Sequence, residues 1–207
     1  MERPARIPLF PLDVVLLPRM QFPLHIFEPR YKLMISRCLE EKIEFGMILA
    51  ANNNVATMGC TAEILRKTKD YSDGRMDIAT EGRAVFRLVD LLHEKEYYEG
   101  IVEYVDVQLG SLDPATERQI VVAFEQSQVL LFGRPWTDPA PNEPATLAYR
   151  MAAMVPMELE KRQSLLQAKT EQERREIVLE WMQAFVPKLA EQQSARRRAG
   201  GNGHPLN

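Results

Sequence analysis

Five prolines, at positions 8, 11, 18, 23 and 29, interrupt the otherwise apolar stretch Ile7 to Tyr31. Each removes a backbone donor and fixes φ, so no continuous helix can run through the segment. Val14 to Leu17 and Phe22 to Phe27 are predicted as short strands, with the prolines at ends, edges or bends. At Phe27-Glu28-Pro29-Arg30-Tyr31 the period changes. Pro29 suits a first helical turn, and Tyr31, Ile35 and Cys38 follow on one stripe, which predicts a helix of about three turns. Glu28 lies near its positive end. Glu28 and Arg30 form an apolar-flanked charged pair, read as a structural ion pair joining strand to helix, because a charge entering a partly dry place must be paired.

Short strands continue downstream. Phe45 to Ala50 reads as a buried strand ending at the polar turn Asn52-Asn53-Asn54, and Cys60 to Lys69 alternates apolar with polar. Asp73-Gly74 supplies the positive φ of a tight hairpin, so Met76 to Ala79 is expected to pair back antiparallel. Glu81-Gly82 reads as a further turn, Arg83 to Leu92 as a strand covered on both faces, and Ile101 to Val107 as the last strand. From Asp113-Pro114 the period is helical: Asp113 caps, Ile120, Phe124, Ser127 and Leu131 share a stripe, and the helix stops near Phe132-Gly133. A proline-rich connector to Pro144 carries Trp136. Leu147 to Val155 and Glu158 to Gln167 are helical, and Thr170-Glu171-Gln172-Glu173 is a capping-box signature opening a helix with Ile177, Trp181, Phe185 and Leu189 on its stripe. The pairs Glu158–Arg162 and Glu171–Arg175 have favourable spacing and are each expected to add about 0.2–0.5 kcal/mol on a helix surface. The expected architecture is α+β: a β-rich barrel with one helix over 1–110, a helical bundle over 111–190 and a flexible tail over 191–207. That tail carries Arg196-Arg197-Arg198, which can add weak, salt-sensitive attraction to an acidic surface.

PLFPL, VLLP and PLHIFEPRY with the helix that follows resemble the opening of the N-terminal domain of the Lon protease family. DGRMDIATEGRAVFRLVDL is similar to the second half of that domain's barrel, and LAYRMAAMVPMELEKRQSLLQAKTEQERREIVLEWM to its helical continuation. The resemblance reaches to about Phe185. It implies a PUA-like β pseudobarrel followed by a C-terminal helical bundle, and a role in recognising unfolded or tagged polypeptides and in assembly. It covers only what precedes the family's ATPase and peptidase domains, so a non-catalytic module is expected, alone or as an adaptor or regulator of a separate Lon protease.

The residues themselves point away from chemistry. No glycine is followed by lysine, which excludes a GxxxxGK[ST] phosphate loop. His25, His93 and His204 stand apart and no cysteines are paired in CxxC, so neither a metal nor another cofactor is expected. GxSxG is absent, and Cys38 falls on an apolar stripe, where a thiol is inert. Cys38 and Cys60 read as reduced thiols of a cytoplasmic protein. No apolar run approaches about 18 residues and no signal peptide is apparent, so no membrane association is expected. The net charge of −3 and the lack of a strand face clustering cations with aromatics argue against nucleic acid, leaving an RNA-binding PUA-like protein as the alternative. Apolar side chains in loops, where packing does not obviously require them, are the candidate partner-binding residues: Met20 and Phe22 near the first turn, Tyr97 and Tyr98 after the long strand, and Trp136 in the connector. Their expected partners are unfolded or tagged polypeptides or a partner protein, with self-association into a homo-oligomer also open.

Overall fold

The computed structural model describes residues 3–51 and 54–200, with side chains up to Ala195. Its described strands are β1 (Arg6–Leu12), β2 (Gln21–Ile26), β3 (Phe45–Ala51), β4 (Asn54–Asp70), β5 (Met76–Leu92) and β6 (Glu99–Tyr104). They form one sheet in the order β2-β5-β4-β3-β1-β6, and further pairing of β6 with β5 closes it into a pseudobarrel. The seventeen-residue β5 makes this possible: its first part pairs with β2, from Met76 to Glu81, and its last part with β6, from Phe86 to Leu92. The helices are α1 (Pro29–Glu41), α2 (Pro114–Phe132), α3 (Leu147–Ala153), α4 (Leu159–Gln167) and α5 (Glu171–Gly200). The fold is therefore α+β, a six-stranded barrel followed by packed helices.

The first strand lies where the prolines are densest, and Val14 to Leu17, predicted as a strand, joins no ladder. Backbone alternation explains both. Leu9 N–H donates to the Tyr98 carbonyl at 2.8 Å, so residues 7, 9 and 11 turn their nitrogens toward β6, and residues 8, 10 and 12 toward β3. β6 pairs with Arg6 to Pro8 and β3 with Leu9 to Leu12. The nitrogen of Pro8 thus faces β3 before that pairing begins, and the nitrogen of Pro11 faces β6 after that pairing has ended. Neither proline removes a bond that the ladder uses.

Gly82 is a second departure, since it lies within continuous β5 instead of at a turn. The turn at 17–20 crosses β5 there: Gly82 N–H donates to Met20 O at 2.9 Å, and Arg19 N–H to Gly82 O at 2.8 Å. A Cβ on Gly82 would lie 2.1 Å from the Leu17 carbonyl oxygen. Close backbone approach, not chain reversal, requires this glycine. The reversal occurs at Gly74, whose φ of +79° closes the β4–β5 hairpin as expected.

Two cores follow from strand alternation. Ile7, Leu9, Ile48, Phe86 and Val102 form a small one. The opposite faces of β1 and β3 join the main core, in which α1 buries Tyr31, Met34, Ile35 and Cys38 and the Tyr31 ring stacks on Phe10 at 4.0 Å. That core continues into the helices, so barrel and bundle share it.

The helix ends match their sequence signals. Asp113 accepts from the N–H groups of Ala115 and Thr116 at 3.0 Å each, and Gly133 ends α2 at φ +70°. Thr170 and Glu173 form a reciprocal capping box, with Glu173 N–H to Thr170 Oγ1 at 3.2 Å and Thr170 N–H to Glu173 Oε2 at 3.3 Å. Helix α5 continues through 194–200, where a loose tail was expected, and 201–207 lie outside the described residues.

The two expected surface ion pairs are not surface ion pairs. Glu158 instead accepts from Trp181 Nε1 at 2.6 Å, while the Arg162 guanidinium donates to the carbonyls of Val155 and Met157 at 3.0 and 3.2 Å. Glu171 and Arg175 do pair, but deep inside. The side chain of Glu171 has no exposure and accepts from Arg174 Nε at 3.0 Å, Arg175 Nε at 3.2 Å and Ala148 N–H at 2.8 Å. Arg174 also reaches the carbonyls of Ala168 and Gln108, and Arg175 that of Pro144. Replacing Glu171 by alanine would leave buried Arg174 without a carboxylate and Arg175 with only the half-exposed Glu117, at 3.3 Å, so Glu171→Ala is expected to cost about 3–5 kcal/mol in chemical denaturation. By the same measurement Gly82→Ala is expected to cost about 2–3 kcal/mol, because backbone must move, whereas Gly74→Ala, strained only by its φ, should cost about 1 kcal/mol.

Candidate functional site

Two clefts of about 650 and 630 Å³ meet where the barrel loop, the connector 133–143 and α3 come together, and Pro139 and Met154 line both. Each is large enough for an apolar side chain and its neighbours. In the first, Trp136 sets its ring edge-on to buried Phe124 at 4.9 Å, with Phe132 and Met154 exposed beside it. In the second, Met20 lies at the base of the Arg19 turn. Arg19, at φ +66°, joins Glu143 and Glu81 across that cleft, and Arg150 holds Asp138 at 2.7 and 2.8 Å. The charges of the second cleft are thus matched within the chain. The connector is pinned from Asp138 onward, while its earlier part rests on Trp136.

The apolar surface extends around α2, where Val122 is 53%, Val129 51% and Phe132 57% exposed. A further groove between α2 and α5, lined by Val122, Val129, Leu130 and Val186, adjoins Pro135. These α2 residues were not among the sequence candidates. Their signal was available: Val122, Val129 and Phe132 lie off the Ile120–Phe124–Ser127 stripe, so the helix had more apolar side chains than its packed face could use.

The five sequence candidates do not converge. Met20 and Trp136 border the joined clefts, but Met20 is buried in the main core, because the Arg19 turn folds it inward, and only Trp136 stays half-exposed. Phe22 is half-buried against the main core, with its carbonyl accepting from Thr80. Tyr97 is buried and its hydroxyl accepts from Arg37 at 3.0 Å, so it is not presented to a partner, because the short turn before β6 folds it under α1. Tyr98 half-covers the small core, edge-on to His93 at 4.9 Å. Glu28 and Arg30 do pair, at 2.8 Å, but both lie at the start of α1, so the bond is local to that helix end and does not tie strand to helix.

A basic and aromatic cluster, not expected from the sequence, does form at the β4–β5 hairpin, where Lys69 and Arg75 lie 4.4 and 4.9 Å from the Tyr71 ring. Aspartates are interleaved with it: Asp70 pairs with Lys67, Asp73 with Arg75, and Asp77 with His25 and Tyr71. Its cations are largely matched within the hairpin, which is unlike a phosphate-tracking groove. Among the described residues no group of three or more His, Cys, Asp or Glu is placed to hold a metal ion, and no helix is long and apolar enough to cross a membrane. Both cysteines are free and buried, and burial pushes the Cys38 thiol up to about 12 and the Cys60 thiol higher still.

Residues 6–184 match the family described as the ATP-dependent protease La (LON) substrate-binding domain. The chain belongs to that family. Among similar proteins, Lon protease of Escherichia coli K12 is 28% identical over 95% of the chain, and Lon protease 1 of Hydrogenovibrio crunogenus 25% over 90%. The chain spans about a quarter of those relatives' length, 27% and 24% respectively. A Lon N-terminal domain protein from Xanthomonas campestris superposes with a TM-score of 0.69 at 26% identity, covering 86% of this chain and 98% of that one. The N-terminal domain of Mycobacterium avium complex Lon protease has the same fold, with a TM-score of 0.63 at 14% identity over 87% of this chain and 99% of that one.

On the far side of the barrel, Glu99 anchors this Lon domain's β6. Its side chain is 5% exposed and bonds Arg6 at 2.6 Å, Lys95 at 2.8 Å and Arg37 at 3.2 Å. Burial pushes the carboxyl up, but the bonds from Lys95 and Arg6 outweigh it and hold it below the usual carboxylate range. A group held low contributes stability that is complete above the unfolded value, about 4.3, and is lost as pH falls through the lower folded one. Glu99→Gln is therefore expected to flatten the acid limb of a stability–pH curve, and equal slopes for both proteins would refute this role.

Proposed function

We propose that this chain is a non-catalytic polypeptide-binding module that takes extended, apolar segments of unfolded or tagged proteins in the cytoplasm. The observation that carries the reading is the continuous apolar surface formed by Phe132, Met154, Trp136 and the α2 valines in a member of the Lon substrate-binding domain family. Several large apolar groups left in water around clefts are a standing cost, and covering them on binding recovers it, at about 25 cal/mol per Å² before the costs of association. Methionine and aromatic side chains adapt to varied sequences, which suits a surface that must accept many chains. Burial raises both thiols, and the charges of the Met20 cleft are matched within the chain, which supports a binding role for this surface.

Fluorescence anisotropy with a permanently unfolded, dye-labelled polypeptide is the test. Binding is expected with a Kd on the order of tens of micromolar, weakened about tenfold in Phe132→Asp and Met154→Asp. Both side chains are exposed, so circular dichroism of the variants should be unchanged. Absence of binding, or binding indifferent to both substitutions, would refute the reading, as would turnover of peptide or ATP by homogeneous protein.

A further inference from the structure

We propose that the cleft beside Trp136 captures the C-terminal residue of a polypeptide, holding an apolar side chain against Phe132 and Met154 and the terminal carboxylate near Trp136, Gln128 and Arg134. This rests on the polypeptide-binding reading above and adds the chemistry of the end that is recognised.

The inference comes from an imbalance of donors. Gln128 is 3% exposed, yet its Nε2 has no hydrogen-bond partner, and the Nε1 of Trp136, lining the same cleft, has none either. Both N–H groups are shielded from bulk water, and a buried donor left unmade is costly, so native structures rarely keep two together without a use. Arg134 lies at the same cleft, and among the described residues it has no hydrogen bond or ion pair. No Asp or Glu lines this cleft. The neighbouring Met20 cleft differs, since its arginines meet Glu81, Glu143 and Asp138 inside the chain.

One cation, two unpartnered N–H groups and an apolar wall specify what is missing: several acceptors carrying negative charge, attached to an apolar group. A carboxylate supplies four lone-pair sites in one plane, and charge-assisted bonds to it are about twice as strong as neutral ones. An internal peptide carbonyl offers acceptors but no charge for Arg134. The free end of a chain carries the carboxylate and its last side chain on the same carbon, so both reach one cleft. Access requires the connector to give. It is bonded at Gly133 to Val129 O and at Asp138 to Arg150, and between those points Trp136 rests edge-on against Phe124, so capture requires the indole to tilt until the two donors are reached.

The experiment compares two unstructured peptides, labelled at the N-terminus and ending in an aromatic residue, one with a free carboxylate and the other with a C-terminal amide. Anisotropy titrations are made with the unaltered chain, Arg134→Gln and Trp136→Phe, beside the unfolded reporter used above. Amidation is expected to weaken binding about tenfold. Arg134→Gln and Trp136→Phe, which removes the N–H but keeps an aromatic ring, are expected to weaken the acid and leave the amide unchanged. Equal affinity for acid and amide would overturn capture of the C-terminus while polypeptide binding stands. Binding of the reporter with neither peptide bound would overturn this proposal alone. Failure of reporter and peptides together would overturn the broader reading.

Discussion

A carboxylate with no access to water, that of Glu171, ties the helical half of this protein together. It satisfies Arg174, Arg175 and the N–H of Ala148, and through the two arginines it reaches the carbonyls of Ala168, Pro144 and Gln108. Those carbonyls belong to the entry of α5, the end of the connector and the segment leaving the barrel. Gln108 O also accepts the N–H of Glu171 at 2.8 Å, so Glu171 holds the barrel's exit directly through its backbone and indirectly through Arg174. Buried ions add little net stability when balanced, but they tolerate few alternative arrangements. The network therefore specifies where α3, α5 and the connector meet more than it strengthens them.

That placement has a consequence for the surface. With α3 fixed against α5, Met154 is brought beside the connector, and the connector in turn lays Trp136 across Phe124 on α2. Apolar groups from three separate stretches of chain then line joined clefts: Phe132 and Met154 are exposed there, while Trp136 packs partly against the shared core of barrel and bundle. The barrel contributes Met20 from the turn whose crossing over Gly82 also defines one wall. The elements that flank this junction are anchored by the interior, while between Gly133 and Asp138 the connector rests on Phe124 through Trp136.

The candidate residues divide according to what holds them. Tyr97 and Tyr98 stand in a loop by sequence, yet Arg37 and the small core claim them, and Glu99 with its three cations makes that end of the barrel rigid. Met20 and Trp136 stand in loops as well and line clefts, but Met20 is buried in the main core and Trp136 is only half-exposed against it. Loop position alone could not separate these cases, since the difference lies in which helix covers which strand end.

Local signals were sufficient wherever a structure closes within a few residues. The caps at Asp113 and Thr170, the stop at Gly133, the hairpin at Gly74 and the stripe of α1 all depend on bonds or contacts spanning one or two turns, so the residues that form them can be read together. The tertiary structure alone decided the rest. It placed a strand across Pro8 and Pro11 by switching partners between them, made Gly82 a crossing point, and drew Glu171 with Arg175 from an expected helix surface into the interior. In each case the deciding neighbour is dozens of residues away or on another element. A proline, a glycine or an ion pair has the same letters whether its surroundings are water, backbone or a packed core.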